Sequence, residues 1–391
     1  MRIAVFGGSF NPPHKGHVNA AIQAKETLGA DKLLVIPTAT APHKAAVENT
    51  PPASERLAMT QLAFQGLEGV EVSDIEIARG GLSYTAETLL ELQKIYPRDE
   101  FILLMGADML FCFDEKWRAF EKIIEIAEIG VFAREFGQDE ALCAKCDLLR
   151  ERFGARINLI DFEPLVLSST LLRERLPNRA GLELLSEPVY AKIIGHRFYG
   201  AKPDLLWLRE QVRPFMDERR MPHVIGCEQE ARRLAEIWGE NPDIAAEAAL
   251  LHDITKKQKA SGQLKLCEKY DIITDGDERK SYKLLHSKTG AALSRDLFGI
   301  DDEIYAAIRS HTTGRSGMSL LEKIIYLADY IEPTRDFEGL SELRRLSTEN
   351  LDRAVEKGLE MTIAELIEHG HLPHPNSINA LEDLKKSKVK A

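Results

Sequence analysis

A chain of 391 residues with 44% hydrophobic and 29% charged residues is too long for one ordinary core, and its composition is that of a globular protein of two or three domains. A net charge of −11, with neither half reading as a basic arm, excludes a diffuse nucleic-acid binder and points to small-molecule substrates. Five cysteines make no disulfide framework, and neither a bilayer-length apolar run nor a signal peptide is present, so a cytoplasmic protein without a membrane partner is expected.

From Met1 to about Gly200 strand-like and helical stretches alternate. Ile3–Phe6, Lys32–Ile36, Val70–Ser73, Phe101–Met105, Glu128–Phe132 and Ile157–Ile160 read as strands. Val18–Leu28, Ser54–Gln65, Thr85–Ile95, Lys116–Ile126 and Glu140–Phe153 read as helices between them. Apolar runs alternating with amphipathic helices predict a parallel sheet covered on both faces, an α/β domain. The pair Cys143-x-x-Cys146 lies in the last of those helices with no second pair nearby, so it reads as two ordinary helix cysteines.

A break follows in "FYGAKPDLLWL", with Gly200 and Pro203. Beyond it the strand signal fades, and the i, i+3, i+4 spacing predicts an all-α domain. Its helices are expected at Leu205–Glu218, Val224–Trp238, Ile244–Leu251, Gly262–Tyr270, Ser281–Leu297, Asp301–Ile308, Leu320–Tyr330, Glu338–Leu346 and Leu351–Ile367. Domains are therefore expected at 1–202 and 203–391, with a frayed tail "KKSKVKA". Homo-oligomerisation stays open.

Chemistry concentrates first in "VFGGSFNPPHKGH". A strand runs into Gly7 and Gly8, whose missing side chains let a ligand approach the backbone. A helix then starts near His17, its amides and dipole facing the sheet edge, with His14 three residues earlier. Two imidazoles there suit phosphate oxygens whose charge grows in a transition state. Neither of the common phosphate-loop patterns is present.

This stretch resembles the His-x-Gly-His nucleotidyltransferases, and within them the bacterial nicotinate-nucleotide adenylyltransferases. The resemblance implies a Rossmann-like fold and AMP transfer from ATP, with Mg²⁺, to nicotinate mononucleotide. ATP would be held by Gly7, Gly8, Ser9, Phe10, His14 and His17. "PTATAPHK" resembles the family's nicotinate-side loop, with Lys44 near phosphate, and "GLSYTAETL" its segment with Ser83, Tyr84 and Thr85. "LLMGADM" places Asp108, "EKWRAF" supplies Trp117 as a stacking surface for the pyridine ring, and "VFAREF" gives Arg134. "LSSTLLRERL" resembles the family's Ser-Ser-Thr-x-x-Arg, with Ser168, Ser169, Thr170 and Arg173 at the triphosphate. His14, His17, Lys44 and Arg173 would carry catalysis, by positioning and charge stabilisation rather than as nucleophiles.

The helical half scatters His223, His252, Asp253, His286, His311 and Asp329. "AALLHDITK" closes an apolar helix with a His-Asp pair, a costly burial unless a divalent metal compensates it. The order His…His-Asp…Asp resembles the HD phosphohydrolases. The words "HDITK", "LLHSKTGA", "AIRSHTTGR" and "KIIYLADYIEPTR" resemble the bacterial HD-domain hydrolases that cut diadenosine tetraphosphate symmetrically into two ADP. By that resemblance His223, His252, Asp253 and Asp329 hold metal, His286 and His311 add ligands for a second ion, and Asp253 is catalytic. Mixed histidine and carboxylate ligands suit Fe, Mn, Co or Zn. Lys256, Arg315 and Arg335 are candidates for the polyphosphate. A third group, "HGHLPHP" with His369, His371 and His374, reads as a loop with no fitting carboxylate nearby.

The expected protein is thus bifunctional, acting on ATP, nicotinate mononucleotide and diadenosine tetraphosphate. The rivals for the second half are an HD nucleotidase of other specificity and a metal-binding regulatory module without turnover. The rival for the first is transfer to another mononucleotide, such as the amide form.

Overall fold

Short runs of Ile, Leu and Val between helix-forming stretches are stable only when both faces are covered, and here they form six parallel strands. These are β1 (Arg2–Gly8), β2 (Lys32–Pro37), β3 (Val70–Val72), β4 (Glu100–Gly106), β5 (Ala127–Phe132) and β6 (Ile157–Ile160). The computed structural model describes residues 1–42, 49–132, 139–160, 167–276, 278 and 282–388. It divides into two units, Met1–Lys202 and Pro203–Ala391.

The sheet order is β3-β2-β1-β4-β5-β6, a doubly wound arrangement. Alternation along each strand splits the core in two. Ile3, Val5, Leu34, Leu103 and Ile129 face one layer, while Ala4, Leu33, Val35, Ile102 and Leu104 face the other. Strand β1 pairs with β2 on one side and β4 on the other, so the chain direction across the sheet reverses there. A ligand crevice is expected outside the carboxyl ends of the strands at that reversal.

The second unit is helical. Helices Met221–Trp238, Pro242–Leu251, Leu285–Phe298, Asp302–Ser310 and Leu320–Ile331 carry its site or end beside it. Among the described residues no helix is long and apolar enough to cross a membrane.

Several element boundaries depart from the sequence expectation, each for a local reason. The helix expected over Lys116–Ile126 starts at Phe120, because Ala119 takes a left-handed φ of 54°. The stretch expected as one helix over Leu205–Glu218 ends at Val212 and passes into a 3-10 turn containing Pro214, which has no amide hydrogen to continue it. The tail is helical through Lys388 in helix Pro375–Lys388, and Lys385 pairs with Glu360 at 2.7 Å.

Candidate functional site

Strand β1 delivers the loop Ser9–His14 to the reversal point, and helix Lys15–Thr27 begins directly after it. His14 caps that helix with its own ring. Its Nδ1 accepts from the His17 amide at 3.3 Å, and His17 Nδ1 accepts from the His14 amide at 3.2 Å. The cap is reciprocal, with imidazoles in the places a serine and a glutamate usually take. A neutral imidazole whose Nδ1 accepts carries its proton on Nε2. Both rings are therefore held as Nε2–H donors, stacked with centroids 3.7 Å apart.

Small residues make this packing fit. A Cβ on Gly16 would lie 3.0 Å from His14 Nδ1, and one on Gly8 would lie 3.1 Å from the buried Phe10 ring. Among the described residues, a Cβ on Gly7 would meet nothing within 4 Å.

Helix Ser169–Arg175 docks onto the same loop from far along the chain. Arg173 Nη1 donates to the Asn11 carbonyl at 2.7 Å, and Ser169 Oγ to the Pro12 carbonyl at 2.9 Å. Ser168 caps its helix through the Leu171 amide, and Thr170 accepts from Arg173 at 3.0 Å. The structure thus brings Ser168, Ser169, Thr170 and Arg173 to the loop that ends at His14, beside the helix start that carries His17.

On the other side, Ser83 is buried and its Oγ accepts from the Ala39 amide at 3.0 Å. Tyr84 precedes helix Thr85–Ile95, and the Arg118 guanidinium lies 4.7 Å from the Tyr84 ring. Asp108 sits in the first turn after β4. Trp117 is half-buried, its ring set edgewise 5.3 Å from Phe113. Lys44 and Arg134 lie outside the described residues.

Arg56 has no counterpart in the sequence expectation. It is 5% exposed, and its guanidinium donates to the carbonyls of Ser9, Thr38 and Ala39 at 2.7, 2.7 and 2.8 Å. It ties the loop after β1 to the loop after β2. An arginine within "PASERLAMT" looks like any exposed helix residue, so no sequence signal marks it.

The second site forms where helix ends converge. His252 and Asp253 leave helix Pro242–Leu251, His223 comes from helix Met221–Trp238, and His286 from helix Leu285–Phe298. His311 closes helix Asp302–Ser310, and Asp329 lies on helix Leu320–Ile331. All four imidazoles are turned the same way. The Nδ1 atoms of His252 and His311 each face a backbone carbonyl at 2.6 Å (Ala249 and Ile308), and His286 Nδ1 faces the Lys283 carbonyl. His223 Nδ1 faces Glu332 Oε1 at 3.0 Å. These oxygens only accept, so each Nδ1 carries a proton and each Nε2 points inward, offering a lone pair wherever the ring is neutral. Gly226 makes room for Glu332, whose carboxylate would collide with a Cβ there.

The two oxygens of Asp253 face two different sets of groups. Oδ2 lies 3.3 Å from His252 Nε2 and 3.8 Å from His223 Nε2, and Oδ1 lies 3.2 Å from His286 Nε2 and 3.6 Å from His311 Nε2. Asp329 Oδ1 is 3.1 Å from His223 Nε2.

Such a donor set calls for cations. His286 Nε2 and His311 Nε2 stand 3.0 Å apart, and among the described residues the buried His252 Nε2 and Asp253 Oδ1 have no hydrogen-bond partner. Burial pushes the His311 imidazole down to about 4, so this ring is neutral. Burial alone would raise the Asp253 carboxyl, but His252, His286 and His311 hold it well below the usual carboxylate range. The residues fit a divalent metal centre.

Of the three expected polyphosphate cations, Lys256 stands 3.0 Å from His286 Nε2, and Arg335 donates to Asp329 Oδ1 at 2.8 Å. Arg315 is engaged elsewhere, in a two-pronged pair with the buried Glu322 at 2.6 Å. The sequence expectation omitted Arg220, which pairs with Asp253, and Glu332 and Cys227, which contact His223. His374, expected to lack a fitting carboxylate, donates from Nε2 to Asp275 at 3.1 Å while its Nδ1 accepts from the Asn376 amide.

Comparison with known proteins follows the same division. Residues 5–175 match the Cytidylyltransferase-like family and residues 220–334 match the HD domain. A Mycoplasma pneumoniae protein named "Probable nicotinate-nucleotide adenylyltransferase/Ap4A hydrolase" is 29% identical, over 85% of this chain and 89% of its own length. A "Bis(5'-nucleosyl)-tetraphosphatase, symmetrical" from Halalkalibacterium halodurans is 39% identical, over 44% of this chain and 92% of its own length. A "Probable nicotinate-nucleotide adenylyltransferase" from Oceanobacillus iheyensis is 34% identical, over 51% of this chain and 96% of its own length.

Proposed function

Because the chain belongs to the nicotinate-nucleotide adenylyltransferases over its first half and to the symmetrical bis(5'-nucleosyl)-tetraphosphatases over its second, we propose that it is one enzyme with two activities. The first unit transfers AMP from ATP to nicotinate mononucleotide, giving nicotinate adenine dinucleotide and pyrophosphate. The second hydrolyses diadenosine tetraphosphate to two ADP.

For transfer, the observation that carries the reading is the reciprocal histidine cap at the end of β1. The acceptor's phosphate attacks the α-phosphorus of ATP in line, and pyrophosphate leaves; no side chain forms a bond to the nucleotide. His14 and His17, already locked as Nε2–H donors, stabilise charge growing on the phosphoryl oxygens. Arg173 and the hydroxyls of Ser168, Ser169 and Thr170 orient the triphosphate, which arrives with Mg²⁺. Ser83, Tyr84, Thr85, Asp108 and Trp117 line the acceptor side, with Lys44 and Arg134 assigned there from sequence.

Arg56 positions the two loops that meet at this crevice. Losing its three carbonyl contacts should loosen both, so Arg56→Lys, which keeps the charge without the planar fork, is expected to raise both substrate KM values by about tenfold. Steady-state kinetics with each substrate varied, alongside a thermal melt, check this. Unchanged KM values would leave Arg56 a purely structural residue.

For hydrolysis, the carrying observation is the two-sided surrounding of Asp253. His223, His252, Asp253 and Asp329 would hold one ion, and Asp253, His286 and His311 a second. When bound, ions of the Fe, Mn, Co or Zn class would supply Lewis acidity and neutralise phosphate charge. Lys256 and Arg335 hold the polyphosphate beside them. The test is to incubate metal-loaded protein with diadenosine tetraphosphate and identify the products. Two ADP are expected. ATP plus AMP would overturn the symmetrical cut, and no turnover with Fe, Mn or Co would favour a regulatory module.

A further inference from the structure

Cys227 lies one turn beyond His223 on helix Met221–Trp238 and is 1% exposed. A buried cysteine on a helix is ordinarily a small hydrophobe facing a core. This one faces the centre. Its Sγ is 3.4 Å from His223 Nε2, and the donor atoms of His223, Cys227, His252 and Asp329 all lie within 4.8 Å of one another. A second observation points the same way, since His252 Nε2 in this group is buried with no hydrogen-bond partner among the described residues. Nitrogen and sulfur at adjacent positions on one ion, with bond lengths near 2.0 and 2.3 Å, stand about 3.0–3.7 Å apart for angles of roughly 90–120°. The observed separation matches.

We propose that Cys227 is a thiolate ligand on the His223–His252–Asp329 side of the centre, which makes the two metal positions chemically unequal. One position offers sulfur, two imidazoles and carboxylate oxygen. The other, around Asp253, His286 and His311, offers nitrogen and oxygen only. When an ion binds, the thiol proton passes to solvent and a sulfur lone pair forms the bond to the ion. Sulfur biases this side toward Zn, Co and Fe over Mn and Mg. The inference rests on the metal-centre reading above, and its test separates the two.

The test is cobalt titration of the full chain after chelator treatment, without oxygen. Wild type should show visible cobalt bands and, with them, a near-ultraviolet sulfur-to-cobalt charge-transfer band. In Cys227→Val the visible bands should remain, the charge-transfer band should vanish, and cobalt affinity should fall about tenfold or more. Cys227→Ser, closer in shape, carries the same test should valine disturb the packing. Cys143→Ser removes an exposed thiol and should change nothing. A charge-transfer band that survives in both Cys227 variants, or is missing from cobalt-loaded wild type, overturns the proposal while the metal centre stands. Wild type that binds no cobalt overturns both.

Discussion

Replacing Asp253 with alanine should abolish hydrolysis of diadenosine tetraphosphate and strip bound transition metal, while adenylyl transfer continues. Asp253 is fully buried and, among the described residues, is the one carboxylate that reaches both histidine sets, His223 with His252 through Oδ2 and His286 with His311 through Oδ1. Without it the Arg220 guanidinium loses its pair and four imidazoles share no central anion. Removing one member of a buried charged cluster costs about 3–5 kcal/mol, so the alanine variant should also melt earlier. Asp253→Asn keeps the shape and removes the charge, which separates loss of chemistry from loss of folding. Elemental analysis and both assays on the same preparations decide the matter. An asparagine variant that retains metal and turnover would dismiss Asp253 as the shared ligand.

His17→Ala should slow adenylyl transfer by roughly 10²-fold or more, the scale for losing one transition-state donor, with hydrolysis unchanged. Two effects combine. The ring supplies an Nε2–H at the end of β1, and its Nδ1 accepts from the His14 amide, closing the helix cap. Loss of such a cap costs about 1 kcal/mol, which lowers stability slightly but cannot explain a hundredfold fall in rate. Comparing kcat with the melting temperature therefore distinguishes the two roles. Near-normal kcat in a folded variant would remove His17 from the chemistry.

Much of this molecule was legible from short stretches of chain, because the forces that shape them act over a few residues. Short apolar runs between amphipathic helices marked the six strands, and Gly-Gly followed by His-x-Gly-His marked where β1 ends and a helix begins. A His-Asp pair closing an apolar helix announced a compensated charge before any partner was visible. Local pattern failed where a single backbone conformation intervened, as at Ala119 with its left-handed φ. It was silent wherever the decisive partner is remote. Arg56 holds two loops by backbone carbonyls, which have no sequence signature. Glu332 orients His223 from 109 residues away, and Asp275 meets His374 from 99 residues away. Arg315 could be counted as a phosphate ligand until Glu322 was seen to occupy both its prongs. The inward direction of four Nε2 atoms, the two faces of Asp253 and the turn of Cys227 toward the centre all follow from how helices pack. Packing sums many weak contacts across the whole unit, and no window of sequence contains that sum.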